Sequence, residues 1–316
     1  VRDNPTSYKK AAQAFLKSTS LDVKNTKSLA MLASTYLNLI DSSAKDESYF
    51  TIINKLIEMS KAKNASSPDG IQSIEGLIAE VELYLAMKRP DAAQARILEF
   101  IKKTPNFGNE VYYYYALVSF SKGEYAEAAK YLNQFGESNI VGPRLFYLMG
   151  QVAEKLNQNQ EAVKQYRKAI KLDSFHAKSV LRIADIYNVN GKLTDAVPLL
   201  DQILEKPEYL FPSDLAYAAY LRARSFELTK KWNKAYSDIQ ISVGVDPSNP
   251  LYLFEYYTIK AQATKGTDNQ AETQAKAKMY GFLGVGEKMF SEGKYAQALD
   301  EFLKARNAYF KSTAPL

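Results

Sequence analysis

The sequence predicts an all-α fold, an α-solenoid of stacked helix-turn-helix repeats, and three observations carry that prediction. Alanines at 128, 162 and 196 recur every 34 residues, and Ala235 and Ala298 continue the series at longer intervals. A bulky residue follows four positions after each, at Leu132, Tyr166, Leu200, Ile239 and Phe302, and a small residue lies upstream at Ala116, Gly150, Ala184, Ala223 and Gly286. Small residues let antiparallel helices approach to about 8–10 Å, and large ones fill the space around each crossing. The third observation is the run from Tyr112 to Tyr115, which a strand would divide between two faces and a helix spreads around its circumference.

Residues 1–73 read as degenerate repeats. "SYKKAAQAFLKSTS" near the start fits a second helix with no first helix before it, and "TKSLAMLASTYLNLI" fits a first helix through Ala33 and Tyr36. "DSSAKDES" interrupts before "YFTIINKLIEMSKAK", and "KNASSPDG" makes a flexible break. Residues 74–249 form the regular array. Within it, the spacing from Ala196 to Ala235 implies a longer inter-repeat loop around "KPEYLFPSD", residues 206–214, which is also a reserve partner surface. Residues 250–316 lose register: "LYLFEYYTIKAQATKG" reads as a first helix, "TDNQAETQAKAK" is too polar for an ordinary second one, and a last repeat follows from Gly293.

Composition excludes several function classes. The 316 residues are 46% hydrophobic and 24% charged, the balance of a chain able to bury a core. Net charge is +6 with lysines and carboxylates interleaved, so nucleic acid is not an expected partner. The longest apolar stretches, such as "LIAEVELYLAM" from Leu77, carry carboxylates and are too short to span a bilayer. Absence of cysteine removes disulfides, thiolate catalysis and zinc ribbons. A single histidine, His176, supports neither a metal pair nor a serine triad and reads as a surface or capping residue. "GFLGVGEKM" from Gly281 lacks the third glycine and the preceding strand of a dinucleotide loop. The scattered carboxylates read as solvated helix faces. No enzyme activity, cofactor or metal is expected. Asn64-Ala65-Ser66 is a lone glycosylation sequon, explained by chance. The opening "VRDNPTSYKK", without methionine or leader-like segment, implies either a removed leader or a piece of a longer chain.

The repeat resembles the tetratricopeptide repeat, whose motif has a bulky residue at position 4, Leu-Gly at 7 and 8, Tyr at 11, Ala at 20, Phe at 24, Ala at 27 and Pro at 32. The copy from Pro143 supplies Phe146, Gly150, Ala162, Tyr166 and Ala169; that from Ala177 supplies Tyr187, Gly191 and Ala196. Copies from Ala216 (Phe226, Ala235, Pro247) and Ile74 (Tyr84, Ala93, Pro105) agree. In the copy from Asn109, Tyr112 and Tyr115 fall on the face that packs within the repeat, Tyr113 on the inner face, and Tyr114 between them.

The resemblance implies a right-handed superhelix with a concave surface lined by first helices, binding an extended or helical segment. Its groove positions select Tyr113, Phe120, Arg144, Tyr147, Gln151, Lys178, Arg182, Asp185, Tyr217, Tyr220 and Arg224, with Glu154, Asn188 and Glu227 beside them. A tyrosine- and arginine-rich lining implies a protein or peptide partner with acidic or aromatic side chains. The carboxylate clamp of heat-shock co-chaperones is not expected: Lys178 and Arg182 match it, while Tyr113, Leu117 and Leu148 stand where its other groups belong. The expectation is a non-catalytic scaffold, similar in composition to bacterial cell-envelope members, with a periplasmic or envelope location. A segment of a larger regulatory or enzymatic chain and a carbohydrate-binding solenoid are the alternatives.

Overall fold

The computed structural model describes residues 4–21, 25–39, 47–64, 73–104, 108–136, 142–263 and 270–313. The chain divides into two compact units, Val1–Arg182 and Ile183–Leu316. Among the described residues there are sixteen α-helices and no strand. The first unit holds α1 (Pro5–Leu21), α2 (Thr26–Leu39), α3 (Glu47–Asn64), α4 (Ile74–Ala86), α5 (Pro90–Lys103), α6 (Glu110–Ser121), α7 (Tyr125–Gly136), α8 (Pro143–Lys155) and α9 (Asn159–Leu172). The division falls within α10 (Ala177–Val189). The second unit continues with α11 (Val197–Leu204), α12 (Pro212–Leu228), α13 (Trp232–Val245), α14 (Pro250–Ala263), α15 (Gln270–Ser291) and α16 (Tyr295–Thr313).

One backbone device closes six hairpins. A residue with positive φ ends the first helix of each: Lys88 (57°), Gly123 (81°), Asn157 (60°), Gly191 (68°), Lys230 (56°) and Gly293 (75°). The next N–H then reaches back five residues, as in Arg89 to the Tyr84 carbonyl at 2.8 Å, Gln158 to Ala153 at 2.8 Å and Lys294 to Met289 at 2.9 Å. Glu124, Lys192 and Lys231 make the same bond at 2.9, 2.7 and 2.8 Å. This is the Schellman ending, which satisfies carbonyls the helix leaves open and reverses the chain within a few residues. Glycine adopts the left-handed conformation without steric cost, which is why the repeats read as "G-[KE]" at this point in three of six cases.

Helix contact within a hairpin depends on size matching. A Cβ on Gly150 would fall 2.6 Å from Cδ1 of Tyr166, and one on Gly286 would fall 2.7 Å from Cδ1 of Phe302. Where the small residue is alanine, at 116, 184 and 223, the residue sixteen positions on is aliphatic: Leu132, Leu200 and Ile239. Leu132, Tyr166, Leu200 and Ile239 are all buried.

The neighbouring position holds paired side chains of changing chemistry at the same spacing. Arg96 donates through Nε to Glu80, both buried. Arg222 and Asp238 repeat that pair with the charges exchanged, at 2.7 and 2.8 Å. Tyr115 and Tyr131 stack there with centroids 5.0 Å apart. Glu80 and Asp238 therefore correct the expectation that the carboxylates lie on solvated faces.

Each core cluster in the first unit joins a first helix, its second helix and the next first helix. Ala33 and Leu37 of α2 pack with Ile53 and Ile57 of α3 and Leu83 of α4; Leu77 and Val81 of α4 pack with Ile97 and Phe100 of α5 and Val111 of α6. Since a fully buried Leu or Ile contributes about 1.5–3 kcal/mol, a hairpin without its neighbour would leave much of its stabilisation unmade.

Four expectations are revised. Tyr114 and Tyr115 are the buried rings of the tyrosine run, while Tyr112 is half-buried with its ring 6.4 Å from Tyr131. The "KPEYLFPSD" stretch contains a 3-10 turn, Pro207–Tyr209, and Leu210 and Phe211 are buried, so only part of it is surface. The polar stretch after residue 269 is helical: α15 runs unbroken for 22 residues and packs on both α14 and α16, joining the expected second helix to the next first helix. His176 is fully buried, as described below. Residues 41–46 and 65–72, which include most of "DSSAKDES" and of "KNASSPDG" with part of the sequon, and Pro105, lie outside the described residues.

Candidate binding concavity

The first unit contains a concavity of about 240 Å³ whose lining comes only from alternate helices. Leu37 and Asn38 enter from α2, Glu82, Leu85 and Ala86 from α4, Tyr113 and Leu117 from α6, Arg144, Tyr147, Leu148 and Gln151 from α8, and Lys178 from α10. All five helices are first helices of their hairpins. Stacking with a roughly constant rotation carries one face of each to the same side, which is how a repeat array builds a surface that no single hairpin possesses.

Aliphatic side chains form part of this surface and polar groups are held around it. Gln151 donates to the Tyr147 hydroxyl at 3.3 Å, and the Tyr147 ring lies 5.7 Å from Tyr166 and 5.4 Å from His176. His176 caps α10: its Nδ1 accepts from the Ser179 N–H at 3.3 Å and lies 2.8 Å from the Ser179 hydroxyl. The capping role expected of His176 is present and the surface position is not, because its ring packs beneath Tyr147.

The arginines expected to present open charge are engaged by carboxylates. Arg144 lies 3.6 Å from Glu82 and donates to Asn38. Arg182 donates to Glu154, which also accepts from the Tyr166 hydroxyl at 2.9 Å. Burial, and then the Glu154 charge, push the Tyr166 phenol well above its usual range. The basic lining read from the sequence is thus largely neutralised by the protein itself.

The predicted residues of the second unit form a network of their own. Tyr217 donates to Asp185 at 2.5 Å and stacks on Tyr220 at 5.9 Å; Tyr220 is buried and lies 5.5 Å from Tyr252. Arg224 sits over the Tyr220 ring at 5.9 Å and 3.9 Å from buried Glu255. Burial raises both Tyr220 and Tyr252 to about 12. Tyr220 is therefore a packing residue, not an open groove ring. Phe120 lies against Tyr125 at 5.5 Å and Lys178 lines the first-unit concavity.

Sequence reading missed Asn38, Glu82 and Leu85, since the first groove copy was taken from Asn109. Reading the same groove positions in the copy from Ile74, 35 residues upstream, would have reached Glu82 and Leu85.

Residues 147–212 match the model of the tetratricopeptide repeat, and residues 95–169 match that of the anaphase-promoting complex, cyclosome, subunit 3. These are tetratricopeptide repeats. The TPR repeat-containing protein MJ1428 of Methanocaldococcus jannaschii is 28% identical over 123 residues, 38% of this chain, and the match spans 21% of that protein's length. A chain of the APC/C hetero-tetramer Cut9–Hcn1 aligns with a TM-score of 0.64 and 11% identity, over 94% of this chain and 52% of its own. Pseudomonas aeruginosa PilF aligns with a TM-score of 0.53 and 14% identity, over 81% of this chain and 99% of its own. At these identities the structural likeness is one of fold. The tetratricopeptide fold supports a protein–protein interaction scaffold with a protein or peptide as partner.

Among the described residues no group of three or more His, Cys, Asp or Glu could hold a metal ion, and no helix is long and apolar enough to cross a membrane.

Proposed function

We propose that the chain is a non-catalytic scaffold that holds an extended segment of a partner protein in the first-unit concavity. The observation that carries this reading is the convergence of five successive first helices on one lining. At about 240 Å³ the space is below the roughly 300–1,000 Å³ of pockets that enclose small ligands, which favours a side chain of a larger partner. Leu85, Leu117 and Leu148 suit an apolar or aromatic anchor, while the Gln151 amide suits peptide backbone. With Arg144 and Arg182 engaged by Glu82 and Glu154, an apolar or aromatic side chain is a better anchor than an acidic one.

Selection from a displayed random peptide library tests the proposal. Peptides with an apolar or aromatic anchor should emerge, and Tyr147→Ala or Leu117→Glu should weaken them by tenfold or more, roughly 1.4 kcal/mol. Selected peptides that bound both variants as well as the wild type would overturn the assignment. The setting we propose, a cell-envelope assembly, rests on composition; a cytosolic signal in fractionated cells would contradict it.

A further inference from the structure

A second concavity, of about 210 Å³, adjoins the first and shares Tyr113 and Arg144 with it. Tyr113, Tyr114 and Phe135 line it together with Ile78 and Leu145, and Glu110 supplies a carboxylate. Tyr114, Phe135 and Glu110 are not among the groove residues selected from the sequence, and Phe135 comes from the second helix α7. The rings face several directions: Tyr113 stands at 85° to Tyr114 with centroids 5.3 Å apart, and at 49° to Phe135 at 5.9 Å.

Aromatic faces carry partial negative charge and attract cations. Mutually inclined rings suit a tetrahedral ammonium better than a planar guanidinium, which stacks on one ring at a time. Arg144 is the one cation in the lining, and its guanidinium is held by Glu82 and Asn38. Arg144 and Glu110 are the two charges of the lining, and Glu82 of the adjoining concavity offsets Arg144, which leaves the Glu110 carboxylate as the uncompensated charge. From the rings, the carboxylate and the neutralised arginine, we infer that this concavity is a cage for an alkylammonium side chain, lysine or methylated lysine, of a protein partner. At Tyr114, burial first and then the Glu82 charge raise the phenol, with Tyr113 adding, Arg144 opposing and Glu110 adding least.

Methyl NMR titration of the full chain with the N-acetyl methylamides of lysine, trimethyllysine and norleucine tests this. Saturable shifts are expected at the Ile78 and Leu145 methyls with both cationic probes and not with norleucine. Glu110→Gln, which leaves the aromatic packing intact, should weaken the cationic probes by roughly threefold. Phe135→Leu, checked for native helicity by circular dichroism, should weaken them by about tenfold. Equal shifts with norleucine, no shift with either cation, or undiminished binding to Glu110→Gln would overturn the cage. Shifts confined to Leu117 and Leu148 would place the probe in the first concavity and equally contradict it, without bearing on the peptide reading.

Discussion

The ring of Tyr166 occupies the volume that a Cβ on Gly150 would need, with Cδ1 2.6 Å and Cζ 2.8 Å from that position. A glycine inside a helix ordinarily costs about 1 kcal/mol relative to alanine, while overpacking a core costs about 1–3 kcal/mol. The second effect should win here. Gly150→Ala is expected to lower the urea midpoint, whereas Gly244→Ala, where nothing lies within 4 Å, should raise it. Adding Tyr166→Leu, which copies Ala184 with Leu200, should show a favourable coupling of about 1 kcal/mol or more in a double-mutant cycle. Strict additivity would show that the ring simply moves aside.

The six turns make a second prediction. Lysine at φ 56° is strained where glycine at 68° is not. Lys230→Gly should therefore stabilise and Gly191→Ala destabilise, each by about 1 kcal/mol in chemical denaturation. The reverse signs, Lys230→Gly destabilising and Gly191→Ala stabilising, would mean that side-chain contacts, not backbone conformation, set the turn.

The buried pair in the second unit should depend on both partners. Arg222 grips Asp238 at 2.7 and 2.8 Å and reaches Asp201 at 2.8 Å, and Asp238 is buried. Arg222→Met strands that carboxylate and should cost about 3–5 kcal/mol, while Arg222→Met with Asp238→Leu should recover most of the loss. A double variant no better than the single one would contradict the pairing.

Glu255 makes stability depend on pH. Burial first, then its hydrogen bond and repulsion with Glu227, lift its carboxyl to about 8, against which Arg224 at 3.9 Å is too distant to prevail. Between its ordinary pKa of about 4.5 and the raised value, the folded state keeps a proton that the unfolded state releases. The stabilisation is complete below that interval and is lost as pH rises through it. Wild-type melting temperature should therefore fall more steeply from pH 5 to pH 8 than that of Glu255→Gln. Parallel curves would show that Glu255 stays ionised.

The local rules were legible in the sequence because they recur. Gly150 with Tyr166, Ala184 with Leu200 and the residues before Arg89 and Lys192 repeat in phase, so one periodicity exposes turns and crossings together. The charged pairs repeat at that phase too, but Glu80 with Arg96 and Arg222 with Asp238 exchange their charges, and Tyr115 with Tyr131 carries none. Residue type hides what spacing preserves. Contacts between repeats were less legible still: Glu82 meets Arg144, and Glu154 meets Arg182, only once the helices stack. Counting Arg144 and Arg182 as open cations was the natural error of reading each repeat alone.

Photo-crosslinking from position 151 tests the central claim most directly. A photoreactive residue there should capture a library-selected peptide, while the same residue at Lys164, on the exposed face of second helix α9, should capture none. Capture from 164 and not from 151 would put the partner on the other surface and contradict the account.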